Sequence, residues 1–124
     1  MYSLSMKKEL RAEHLLPFAD GLEEERHEHG YTVEVKLKGE ELTDEGYLVD
    51  LTVLEDILDD VIGEYQGEFL NDLDGFEGRN PTVENLSRAI WEDIAPSLES
   101  ENVDSMGVRV WEDENSSGSY QGDV

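Results

Sequence analysis

The stretch EEERHEHGYTVEVKLKG, residues 23–39, decides the fold. From Tyr31 onward, Tyr31, Val33, Val35 and Leu37 alternate with Thr32, Glu34, Lys36 and Lys38, and Gly39 closes the run. A period of two marks a strand with one face buried and the other wet. His27 and His29 stand at its head. Residues two apart on a strand project from the same face, so the two imidazoles point together.

Outward from this strand, Tyr2, Leu4 and Met6 alternate with Ser3, Ser5 and Lys7, a first strand running toward His14. If the two strands pair as a hairpin, His14 comes to the same end as His27 and His29. Downstream, the short apolar run at 47–49 leads into Asp50. Leu51, Leu54, Ile57, Leu58, Val61 and Ile62 then recur at three- and four-residue spacing, an amphipathic helix ending near Gly63, with Thr52 and Glu55 spaced as a capping box. A Gly-, Asp- and Asn-rich loop follows, from about 65 to 80. Thr82 is placed to cap a second helix carrying Leu86, Ile90 and Ile94 on one stripe, which Pro96 stops. Met106, Val108 and Val110 form another strand, and a short terminal strand is expected around 119–121.

Strands, then helices, then strands predict an α+β domain: a four-stranded antiparallel sheet with two helices on one face. At 124 residues the chain fits a single domain, 1–124, with a modest core. So small an open sheet leaves its edges exposed, and pairing them between copies predicts an oligomer.

Thirty-two Asp and Glu against nine Lys and Arg give a formal charge of -23. Such a surface repels phosphate backbones and anionic lipids, so no nucleic acid and no membrane is the expectation. Solvation explains most of this acidity. The sequence shows neither a membrane-length apolar run nor a signal-peptide plan, so a cytoplasmic location is expected. The absence of cysteine excludes disulfides, thiolate metal sites and cysteine nucleophiles.

All three histidines of the chain, His14, His27 and His29, fall within one window of the sequence. Three imidazoles on one cation leave a fourth position of tetrahedral zinc open to water or substrate, the pattern of a catalytic site. An H-x-H beside a loop is also ordinary surface histidine, and the spacing does not separate the two readings.

His14, ERHEHGYTVEV, GYLVDLTVLEDILDDVI, LND, NPTVENLSRAIWEDI and VRVWE follow one another in an order and spacing that resembles the 6-pyruvoyltetrahydropterin synthase family, which includes the 6-carboxytetrahydropterin synthases. The resemblance runs over nearly the whole chain. It implies a tunnelling fold, in which sheets from several subunits close into a barrel, in a homohexamer built as a dimer of trimers. It also implies Zn2+ on His14, His27 and His29 and a pterin substrate at the subunit interface. Carried over by motif, Glu112 in VWED matches the glutamate that grips the pterin ring, since a carboxylate accepts two parallel hydrogen bonds from the 2-amino group and a ring N–H. Thr82 in NPTVEN matches a position that seats the pterin, and a helix N-cap explains the same threonine.

The chain departs from the pattern at two places. The family's cysteine, four residues before the first histidine of H-x-H, is Glu23 here, within a run of three glutamates that solvation also explains. One branch resembled here carries this replacement and cleaves the dihydroneopterin side chain. In that branch the residue between the histidines is glycine, and here it is Glu28, which strand alternation turns away from the metal side. The usual Asp-His pair before FLNDL is Gln66 and Gly67. A metal, a ring-binding carboxylate and one base suit a zinc-dependent retro-aldol lyase on 7,8-dihydroneopterin or its triphosphate, giving 6-hydroxymethyl-7,8-dihydropterin, with Glu23 as catalytic base. The alternatives are a 6-carboxy- or 6-pyruvoyl-tetrahydropterin synthase and an inactive pterin- or purine-binding homologue. A triphosphate would need cations such as Lys36, Lys38, Arg79 or Arg88.

Overall fold

The computed structural model describes residues 1–18 and 25–124. Strand β1 (Tyr2–His14) and strand β2 (His27–Gly39) form a long antiparallel hairpin; helices α1 (Leu51–Tyr65) and α2 (Val83–Ile94) follow, and β3 (Ser105–Trp111) and β4 (Ser117–Asp123) end the chain. The strands lie in the order β1-β2-β3-β4, each antiparallel to the next. This is the predicted α+β sheet; among the described residues it does not close on itself, and the outer edge of β1 is met at Arg11 and Glu13 by residues 66–69. Among the described residues no helix is long and apolar enough to cross a membrane.

The alternation read from β2 is the core. Tyr31, Val33, Val35 and Leu37 are buried, as are Met106, Val108 and Val110 on β3. The register places Val33 against Val110 and Val35 against Val108, so the apolar side chains of neighbouring strands share one face. Leu54 and Leu58 of α1 and Leu86, Ile90 and Ile94 of α2 close over that face with no exposed surface. The three- and four-residue spacing of these side chains makes one apolar stripe per helix, and the sheet receives both. On α2 the approach to β4 is close: a Cβ at Gly118 would lie 2.9 Å from Val83 Cγ2 and 3.0 Å from the Glu84 nitrogen.

The start of α1 differs from the expected capping box. Asp50 is the N-cap, its carboxylate accepting from the Thr52 N–H at 2.8 Å and from the Thr52 hydroxyl at 2.7 Å. Both hydrogen bonds hold the Asp50 carboxyl below its ordinary range. A carboxylate satisfies the free N–H groups of a first turn better than a hydroxyl two residues later, so Asp50 displaces Thr52. The helix also runs past Gly63 to Tyr65, which is buried and donates its hydroxyl to Asp93 of α2. Thr82 does cap α2, its hydroxyl accepting from the Asn85 N–H at 3.1 Å. β4 is longer than the sequence suggested, because its Ser- and Gly-rich residues pair with β3 along all seven positions.

Candidate metal centre and ring-binding cleft

The hairpin register carries His14 to the position directly opposite His27, and Ala12 opposite His29. All three histidines therefore sit on the core face, just beyond its last apolar layer. His14 is buried, His29 half-buried and His27 exposed, a gradient from core to solvent. One potential ligand atom from each lies within 4.8 Å of the others. The structure thus brings together the set that the sequence singled out.

The partners of the ring nitrogens fix where the lone pairs lie. His27 Nδ1–H donates to the Glu25 carbonyl at 3.0 Å, and His29 Nε2–H donates to the Glu112 carbonyl at 2.9 Å. A carbonyl only accepts, so each ring presents its other nitrogen as a lone pair. At His14, the Pro81 carbonyl lies 3.4 Å and the Tyr31 hydroxyl 2.9 Å from Nδ1. Beside that carbonyl the proton belongs on Nδ1, which leaves Nε2 as a lone pair 3.1 Å from Nε2 of His27. Two lone pairs at that distance are relieved by a shared cation. Zinc–imidazole bonds of about 2.0–2.1 Å in a tetrahedron put ligand nitrogens about 3.3 Å apart, close to the His14–His27 separation, and three imidazoles are a donor type that zinc takes. The outer partners are of the kind that orient metal-bound imidazoles.

The chain leaving His14 is clamped. The Leu15 N–H donates to Asn71 Oδ1 and Asn71 Nδ2 donates to the Leu15 carbonyl, each at 3.0 Å, which gives the Asn of the LND motif its role. Glu28 points to the opposite sheet face and pairs with Arg11 at 2.5 Å, as alternation predicted. Glu13 pairs with Arg26 at 2.5 Å, whose guanidinium stacks 4.0 Å from the Phe69 ring centre. Two carboxylates near the histidines are thereby neutralised.

Glu112 follows β3 and is half-buried. Beside it a cleft of about 450 Å³ is lined by Lys7, Tyr31, Thr32, Trp111 and Glu112 among others. Thr82 adjoins Pro81, the residue that meets His14, so both candidate ring-binding residues border the histidines through the backbone. Gln66 and Gly67 lie against β1: the Arg11 N–H donates to Gln66 Oε1 at 3.2 Å and the Gly67 N–H to the Arg11 carbonyl at 2.8 Å. Gly67 has φ of 75°, a left-handed conformation that strains most side chains. The catalytic residue expected at Glu23 lies outside the described residues. Sequence reading missed Tyr31, Pro81 and Asn71 as parts of the site. Tyr31 read as core, and Pro81 acts through a carbonyl that every residue possesses.

The family model described as 6-pyruvoyl tetrahydropterin synthase matches residues 3–123. A 6-carboxy-5,6,7,8-tetrahydropterin synthase of Bacillus subtilis is 31% identical over 106 residues, covering 80% of this chain and 70% of that protein. A 6-pyruvoyl tetrahydrobiopterin synthase of Dictyostelium discoideum is 34% identical over 99 residues, 78% of this chain and 71% of the relative. Among solved structures, the 6-pyruvoyl tetrahydropterin synthase of Plasmodium falciparum superposes with a TM-score of 0.82 at 15% identity, covering 99% of this chain and 98% of that one. That of Caenorhabditis elegans gives 0.79 at 18% identity, over 98% and 95%. The fold is the tunnelling fold of those structures, and the chain belongs to the 6-pyruvoyl tetrahydropterin synthase family.

Proposed function

We propose that the chain is a pterin lyase of the tetrahydropterin-synthase type, acting on the side chain of 7,8-dihydroneopterin triphosphate or a close relative, with zinc on His14, His27 and His29. The observation that carries this reading is the convergence of three imidazoles whose far nitrogens are engaged. The names of the Bacillus and Dictyostelium relatives support the synthase chemistry. Bound zinc would polarise a side-chain oxygen of the substrate. Glu112 accepts two hydrogen bonds from the pterin edge and fixes the ring, while Thr82 seats it. Glu23 takes the proton. Glu23 is assigned this part because it stands where the family motif has its catalytic cysteine. The family resemblance implies a homohexamer with the site completed at a subunit interface, for which β4 and the part of β1 before Arg11 are the available edges.

The retro-aldol reading stands second. It is favoured by the lack of cysteine and by Gln66 and Gly67 standing where the family pattern has its Asp-His pair. There Glu23 removes the proton of the hydroxyl on the second side-chain carbon, the bond to the first carbon breaks, the outer carbons leave as an aldehyde, and the first carbon takes up a proton to give 6-hydroxymethyl-7,8-dihydropterin.

Incubation of zinc-loaded protein with 7,8-dihydroneopterin and with its triphosphate tests both. A 6-carboxy- or 6-pyruvoyl-tetrahydropterin product is the expected result. The 6-hydroxymethyl product would replace it with the second reading. No turnover of either substrate, with the pterin still bound, would leave a binding protein and end both.

A further inference from the structure

The three imidazoles are not held alike. His27 and His29 are oriented by backbone carbonyls, which no substitution at Glu25 or Glu112 removes. His14 has a side chain as its nearer partner: the Tyr31 hydroxyl at 2.9 Å, against 3.4 Å for the Pro81 carbonyl. Tyr31 is 1% exposed and His14 3%, so water does not compete for this contact. The Tyr31 ring also packs against a second histidine, its centre 4.8 Å from that of His29 and 6.0 Å from that of His14.

We infer that Tyr31 is a positioning residue of the metal centre, its hydroxyl fixing the ring orientation of His14 so that Nε2 is turned to the cation, with the Nδ1 proton set by the Pro81 carbonyl, and its ring supporting His29. The inference rests on the zinc reading of the three histidines. Its physical basis is local. Rotation of His14 about χ2 would exchange Nδ1 and a ring carbon at the Tyr31 oxygen, giving up a buried hydrogen bond, and would turn Nε2 away from the 3.1 Å approach to His27. A carbonyl at 3.4 Å is too long to hold the ring as firmly. The alternation that made Tyr31 a core residue also places it two residues beyond His29 on the same face, so the last layer of the core is also the outer support of the site.

The test is zinc affinity by chelator competition on the wild type, Tyr31→Phe and Leu10→Val, with thermal unfolding of the metal-free proteins alongside. Leu10 lies opposite Tyr31 in the hairpin and is equally buried, so Leu10→Val loosens the same layer without touching the hydroxyl. Tyr31→Phe is expected to weaken zinc by about 10–100-fold while Leu10→Val binds as the wild type does. Equal affinity in Tyr31→Phe and wild type, or equal weakening in both variants, overturns the inference. A wild type that holds no zinc removes the reading beneath it, a separate result. Nitrogen chemical shifts of His14 in the metal-free wild type give a check that needs no variant: the Nδ1–H form is expected, and the Nε2–H form overturns the assignment.

Discussion

His14 shows how much one side chain's surroundings decide. Its imidazole is buried at the end of β1, and the same nitrogen faces a hydroxyl and a carbonyl. Replacing it with alanine removes one of three donors and the ring that Tyr31 faces, so His14→Ala is expected to abolish stoichiometric zinc, as elemental analysis after dialysis would show. Asp50 illustrates a different local effect. Its carboxyl is held below the ordinary value of 3.8, first by the Thr52 hydroxyl and then by the Thr52 N–H. A folded pKa below the unfolded one means stability present above the unfolded value and lost as pH falls through the folded one. Asp50→Ala should therefore melt below the wild type near neutral pH, and the gap should close as the pH drops below the usual carboxylate range. A gap independent of pH would refute this. Tyr65 works the other way: burial first, then its bond to Asp93, raises its phenol well above the usual value, so it stays a donor throughout.

Between elements, packing sets the tolerances. α2 lies so close to β4 that Gly118 has no room for a methyl group beside Val83 and the backbone of Glu84. Gly118→Ala is expected to cost about 1–3 kcal/mol, because backbone, unlike a flexible side-chain tip, cannot move aside. Denaturant unfolding would measure it. The Thr82 cap predicts a smaller loss, about 1 kcal/mol for Thr82→Ala. Because Thr82 follows Pro81, the same variant probes whether the start of α2 also positions His14. Both helices were legible from spacing, and Thr82 from its hydroxyl. The true start of α1 was not, since Asp50 and Thr52 are both good caps and geometry chose between them.

For the whole molecule, a formal charge of -23 on 124 residues means self-repulsion that salt screens. The thermal midpoint is expected to rise steadily between low and molar salt, and a flat profile would show that the acids are already compensated. Light scattering is expected to give a mass that is a multiple of the 14.1 kDa chain, consistent with β1 and β4 pairing across copies. The alternation in β2, the helical stripes and the choice of histidines were readable along the chain, because they follow from residues a few positions apart. The three-histidine geometry, the hold of Tyr31, and the carbonyls of Pro81 and Glu112 emerged only on folding. Those partners lie 17, 67 and 83 residues from the rings they orient. Sheet register and helix packing bring such groups together, and no local pattern records a contact made by a backbone oxygen.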